Sequence, residues 1–236
     1  MFKSVINPRA KNLLFLHGWG GNRQSLFPLI NQLKDRYNIF APDLPWPDQT
    51  PLSLDDYVRF VLDLITREKI SRPVIIGHSL GGAIATQIAA AHPRSLSGLV
   101  LLSAASIRHP LPQPWQTLQN LTAPFKPLLH PVRKLALKIA RLDASDYLQL
   151  TTPAEKHTFR QLISADLSPL LSSINCPTLI LWGETDSSTP VADARTLNRL
   201  IKNSRLHTFP GSGHFFYLDH PAEVTAEITA FIRHET

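Results

Sequence analysis

Gly77-His78-Ser79-Leu80-Gly81-Gly82 is the stretch that decides how this chain reads. Ahead of it runs Arg72-Pro73-Val74-Ile75-Ile76, short, apolar and β-branched, which reads as a buried strand. Behind it runs Ala83-Ile84-Ala85-Thr86-Gln87-Ile88-Ala89-Ala90-Ala91, alanine-rich and closed by His92-Pro93, which reads as a packed helix. A Gly-x-Ser-x-Gly between strand and helix is a nucleophile elbow: the serine occupies a strained turn, and the glycines let neighbouring backbones pass closely. Glycines and serines meet by chance in many loops, so the flanking strand and helix carry the signal.

Working outward, strands and helices alternate. Asn12–His17 reads as a strand that leaves into Gly18-Trp19-Gly20-Gly21, and a helix follows with Leu26, Leu29, Ile30 and Leu33 on one face. Tyr37–Pro42 is the next strand. Ser53 reads as an N-cap with Asp55 and Asp56 in the first turn, opening a helix with Tyr57, Val58, Val61, Leu62 and Ile65 at helical spacing. Leu96–Ser103 is the strand after the Ser79 helix. The alternation then stops, where Pro110, Pro112, Pro114, Pro124, Pro127 and Pro131 break the chain and a helix is expected near Val132–Leu142, with two more beyond it. It resumes with a strand at Pro177–Trp182, a helix at Val191–Ile201, a strand at Arg205–Phe209 and a closing helix at Ala222–Arg233. The expected fold is α/β, a mostly parallel, doubly wound sheet formed by residues 1–106 and 169–236. Residues 107–168 read as a helical lid inserted after the strand that follows the nucleophile helix. Ligands in such sheets bind outside the carboxyl ends of the strands, where Ser79 falls.

A serine hydroxyl is a poor nucleophile at neutral pH, so it needs a base, and the base needs an orienter. Asp186, in Leu181-Trp-Gly-Glu-Thr-Asp186, and His214, in Pro210-Gly-Ser-Gly-His214, each follow a strand end, giving the chain order Ser, acid, His. Glu184 is the rival acid on the same loop. His17 is expected to hydrogen-bond the loop above it, and His78 to point away from its neighbour Ser79. The transition state of acyl transfer also needs oxyanion donors. The backbone N–H of Leu80, directly after the nucleophile, and that of Trp19, in the glycine-rich loop after the first core strand, fit that need.

Apolar residues make up 43% and charged residues 18% of the 236 positions, which suits a globular chain with one large core and an insertion. A single cysteine, Cys176, excludes an intramolecular disulfide and reads as a packing residue before Pro177. Met1–Pro8 lacks the apolar core of a signal peptide, and no apolar run approaches the roughly 18 residues of a membrane span, so the expected compartment is cytoplasmic.

His17-Gly-Trp-Gly20, Gly77-His-Ser-Leu-Gly81, Trp182-Gly-Glu-Thr-Asp186 and Gly213-His214 together resemble the α/β-hydrolase superfamily over nearly the whole chain. Length and lid position look most like the small carboxylesterases typified by pimeloyl-acyl carrier protein methyl ester esterases. The resemblance implies a serine carboxylic-ester hydrolase with Ser79, His214 and Asp186 as triad, Trp19 and Leu80 as oxyanion hole, and neither metal nor organic cofactor. The same layout serves thioesterases, lactonases and C–C bond hydrolases or lyases, and a ligand-binding protein that lost turnover also stands open. With only about ten residues before the first core strand, the superfamily's N-terminal hairpin must be shortened.

Trp19, Trp115, Phe125 and Leu128 are expected to line an acyl pocket, although lid-core packing would use the same residues. From Ser106 to Leu142 the chain holds Arg108, Lys126, Arg133, Lys134, Lys138 and Arg141 and no acidic residue, matching the net charge of +6. Lys134, Lys138 and Arg141 share one helical face beside Leu135, Ile139 and Leu142. That face, with Arg133, is either solvated or a docking surface for an anionic partner such as an acidic acyl carrier protein; the pattern also suits a membrane surface. Cations confined to one helix and its approaches speak against nucleic acid.

Overall fold

The structure, a computed structural model, describes residues 1–5, 7, 9–108 and 150–235. Its centre is a seven-stranded sheet of β1 (Phe2–Ser4), β2 (Asn12–Leu16), β3 (Asn38–Ala41), β4 (Val74–His78), β5 (Gly98–Leu102), β6 (Thr178–Gly183) and β7 (Ser204–Phe209), in the spatial order β1-β3-β2-β4-β5-β6-β7. Only the β1–β3 pair is antiparallel; β3, β2, β4, β5, β6 and β7 run parallel. A parallel sheet covered on both faces needs strands that are apolar on both sides. Alternate residues accordingly divide between two cores. Leu14, Leu16, Ile75, Leu99, Leu101, Ile180 and Trp182 face one side. Leu13, Phe15, Val74, Ile76, Val100, Leu102, Leu179 and Leu181 face the other.

The first core is closed by α2 (Leu54–Arg67), α3 (Leu80–Ala91) and α5 (Val191–Leu200), through residues such as Tyr57, Val61, Ile84, Ile88 and Leu197. The second is closed by α1 (Phe27–Leu33), the short α6 (Phe216–Asp219) and α7 (Pro221–Glu235), through Leu29, Ile30, Phe216, Val224, Ile228 and Phe231. The remaining described helix, α4 (Pro153–Ser164), lies between β5 and β6 in the chain. Local chemistry sets the helix starts. Ser53 caps α2 in a reciprocal box with Asp56, and Thr152 caps α4 in the same way with Glu155. None of the described helices is long and apolar enough to cross a membrane.

The topology positions a site. After β2 the chain packs α1 on one face and pairs β3 on one side of β2. It then returns to place β4 on the other side, followed by α3 on the opposite face. Loops that leave adjacent strands for opposite faces open a crevice, and that crevice stands between the ends of β2 and β4. Gly18–Asn22 and Ser79 occupy it. β1 is three residues long, and its Phe2, Lys3 and Ser4 register with Ala41, Phe40 and Ile39. The helix expected near Val132–Leu142, the positions Trp115, Phe125 and Leu128, and the basic set Arg133, Lys134, Lys138 and Arg141 lie outside the described residues. The two ends of the expected lid are described, and there the Leu167 N–H donates to the Ser106 carbonyl at 3.1 Å.

Candidate active site

Ser79 joins β4 to α3 with φ 51° and ψ −113°, a left-handed conformation that costs a non-glycine residue about 1–3 kcal/mol. The surroundings hold it there. Its N–H donates to the Leu102 carbonyl at 3.0 Å, and its carbonyl accepts from Ala83 and Ala105 at 3.1 and 3.0 Å. The flanking glycines are required by contact. A Cβ on Gly77 would lie 2.3 Å from the Gly81 carbonyl oxygen, and one on Gly81 would lie 2.2 Å from that of Leu16. The turn is thus clamped between β2 and its own helix, leaving the serine half-buried at the carboxyl edge of the sheet.

The ends of β6 and β7 bring two more residues to that edge. Gly183, ending β6, packs so closely on the next loop that a Cβ there would sit 2.2 Å from the Gly213 carbonyl oxygen. This contact sets the loop carrying Asp186 against the loop carrying His214. His214 Nδ1 lies 2.8 Å from Asp186 Oδ2. A carboxylate only accepts, so Nδ1 carries the proton and the lone pair of Nε2 is left to act as a base. Asp186 is 6% exposed. Burial pushes its carboxyl up, but the hydrogen bond and charge of His214 and the Thr189 N–H outweigh that and hold it below its ordinary value. Glu184 is elsewhere, accepting from the Thr208 hydroxyl at 2.8 Å on the exposed side of β7.

Two further histidines support the crevice as neutral rings. Burial lowers the pKa of His17; its Nε2 accepts the Leu44 N–H at 2.9 Å, so Nδ1 holds the proton and donates to the Gly18 carbonyl at 2.8 Å. It ties the loop after β2 to the loop after β3. His78 is buried and turns toward His214. Its Nε2–H donates to the His214 carbonyl at 3.2 Å, and the two rings lie 4.7 Å apart. Burial, and then the charge of His214, push its pKa down to about 3. His78 thereby links β4, the strand that leads into Ser79, to His214. Among the described residues the Ser79 hydroxyl makes no hydrogen bond to His214; in free enzymes this contact is commonly longer than in the substrate complex.

Leu80 follows Ser79 directly, and Trp19 lies in the loop that leaves β2, the strand beside β4. Leu80 opens α3, where an N–H has no partner within the helix, and among the described residues neither N–H donates to a protein acceptor. The Trp19 ring packs 4.7 Å from Trp46 and 5.5 Å from Phe159 of α4. Trp46 is fixed in turn by its indole N–H, which donates to Glu155 at 2.9 Å. Sequence reasoning missed Thr189, whose hydroxyl and N–H both donate to Asp186. Its one signal is the distance of three residues past a strand-end aspartate, where a polar side chain can turn back to cap it.

The alpha/beta hydrolase family model matches residues 13–228. The pimeloyl-[acyl-carrier protein] methyl ester esterase of Vibrio campbellii is 29% identical over 234 residues, covering 91% of this chain and 92% of that one. The biotin biosynthesis bifunctional protein BioHC of Teredinibacter turnerae is 25% identical over 97% of this chain, which spans 45% of that longer protein. Among solved structures, an esterase from Exiguobacterium antarcticum superposes with a TM-score of 0.74 at 20% identity, covering 98% of this chain and 93% of that one, which shows a shared fold. With a family match over nearly the whole core, a serine in a strained turn at its crevice and an Asp–His pair beside it, this chain belongs to the alpha/beta hydrolase family.

Proposed function

We propose that the protein is a serine carboxylic-ester hydrolase that works through an acyl-enzyme. The observation that carries this reading is the 2.8 Å Asp186–His214 pair, whose imidazole packs on the residue next to a serine in a positive-φ elbow. His214 Nε2 takes the Ser79 proton as Oγ attacks the ester carbonyl, and the negative charge moves to the carbonyl oxygen, between the N–H groups of Trp19 and Leu80. Collapse of this intermediate breaks the ester C–O bond. His214 returns the proton to the departing alkoxide, leaving an acyl-Ser79. Water then attacks the acyl carbon with His214 again as base, releasing the carboxylic acid and restoring the serine. Asp186 stays ionised throughout, holds the tautomer and stabilises the imidazolium.

The acyl groups are small to medium in size, with Trp19, Trp46 and Phe159 as an apolar wall on one side of the crevice. We assign the activity to the cytoplasm and an acidic acyl carrier protein as the substrate's carrier. Two things support the carrier: the acid-free run of cations that includes Arg133, Lys134, Lys138 and Arg141, and the name of the Vibrio relative. The test is a panel of acyl esters of graded length, free and carrier-linked, with lactones and thioesters alongside. A pre-steady-state burst on p-nitrophenyl esters and preference for the carrier-linked ester support the reading. Turnover without a burst, or equal rates on free and carrier-linked esters, contradicts the acyl-enzyme and the carrier respectively.

A further inference from the structure

Thr189 belongs to none of the motifs, yet its N–H and its hydroxyl are both engaged at the acid–base pair. It is 7% exposed. Its N–H donates to Asp186 Oδ1 at 2.9 Å, and its hydroxyl lies 2.8 Å from Asp186 Oδ2, the oxygen that also receives His214 Nδ1–H. Oγ1 is itself 3.2 Å from His214 Nδ1 and 3.2 Å from the carbonyl oxygen of Ser103, just past β5. Its own carbonyl accepts the buried indole N–H of Trp182 at 2.8 Å. One hydroxyl proton serves one acceptor at a time, and the carboxylate, charged and nearer, outcompetes the Ser103 carbonyl.

We infer that Thr189 is the positioning residue of the acid–base pair. A carboxylate held through one oxygen can swing about its χ2. Thr189 holds both, the N–H on Oδ1 and the hydroxyl on Oδ2, and Ser188 adds a second N–H on Oδ1 at 2.9 Å. The carboxylate plane is then fixed where His214 Nδ1 meets Oδ2. The inference rests on Ser79, His214 and Asp186 working as proposed above, with Thr189 acting through Asp186 and touching no substrate.

The experiment compares kcat and KM on a p-nitrophenyl ester for wild type, Thr189→Val, Thr189→Ser, Asp186→Asn and the Thr189→Val/Asp186→Asn double variant, with thermal melts of each; Thr189→Ala replaces the valine variant if that fails to fold. Losing a hydrogen bond to a charged group should lower kcat in Thr189→Val by about tenfold to a hundredfold with KM within about twofold, and serine should restore it. The double variant should be no worse than Asp186→Asn, since the hydroxyl has no other route to the reaction. Wild-type kcat in Thr189→Val, a loss that adds in full on Asp186→Asn, or a serine variant as slow as valine overturns the assignment. An arm without turnover separates this from the proposed activity: proton NMR of the His214 Nδ1–H. The signal should be protected from exchange in wild type and Thr189→Ser and lost in Thr189→Val, and its persistence in Thr189→Val overturns the role whether or not any ester is hydrolysed.

Discussion

Glu184 and Asp186 stand two residues apart on one loop, and the backbone alone separates them. Glu184 continues the line of β6 and its side chain leaves on the exposed face toward Thr208, whereas Asp186 lies past the turn and is 2.8 Å from His214. Asp186→Asn should present an amide where Nδ1–H needs an acceptor, favour the wrong tautomer and lower kcat by about 10⁴. Glu184→Gln should change kcat by less than about threefold. Steady-state kinetics on one ester ranks the two, and the reverse order would move the role to Glu184. Both residues were legible in the sequence because a strand end followed by a polar loop points to a carboxyl-edge site. His78 was not legible, since adjacency in a turn says nothing of where a ring goes once Gly18 and His214 close over it. Its buried neutral state has a consequence for stability. With a folded pKa of about 3 against an ordinary 6.5, the unfolded chain binds the proton first, so stability rises with pH across that interval by about 1.4 kcal/mol per pH unit from this group. His78→Gln cannot titrate and keeps a donor for the His214 carbonyl. Urea unfolding between pH 4 and 6 should show its pH slope reduced by about that amount; an unchanged slope would mean that His78 is protonated in the folded protein.

At the scale of elements, the contacts of α4 with the mouth of the crevice come from its first two turns. Glu155 completes the cap with Thr152, accepts the Thr151 N–H at 2.6 Å and reaches the Trp46 indole, while Thr158 Oγ1 accepts the Leu52 N–H at 2.7 Å. The Thr152 N–H, then the Trp46 N–H, hold the Glu155 carboxyl below its ordinary value of 4.5. A depressed carboxylate contributes stability that is present above the unfolded pKa and lost as pH falls through the folded one. Glu155→Ala should therefore free Trp46 and with it the packing on Trp19, raising KM for acyl esters several-fold with little change in kcat. Near-UV circular dichroism should show the same loosening in wild type below about pH 4.5, and a spectrum unchanged down to pH 3 would show that Trp46 is held by other means. The sequence announced this helix only as one of several in a proline-broken stretch, because Glu155 and Trp46 are far apart in the chain and no local pattern couples them. β1 escaped for a similar reason. Three residues carry no readable period, and only the edge of β3 makes them a strand.

For the whole molecule, the sequence sufficed to predict a mostly parallel, doubly wound sheet and to put Ser79 at its carboxyl edge, since alternation of apolar strands with amphipathic helices leaves few ways to cover both faces of a sheet. What it left open was contact: which loop rests on which, and which side chains the loops press together. Gly183 against Gly213 and Thr189 against Asp186 are of this kind. The central claim is that these contacts serve a nucleophilic serine. Its most direct measurement is covalent labelling with a fluorophosphonate, followed by mass spectrometry of the peptide that holds Ser79, in wild type, Ser79→Ala and His214→Ala. A nucleophilic Ser79 should take one phosphonyl group per chain in wild type, with none in a folded Ser79→Ala protein and labelling at least about 10³-fold slower in His214→Ala, where the base is gone. Stoichiometric labelling of a folded Ser79→Ala protein, or labelling of His214→Ala at the wild-type rate, would contradict it.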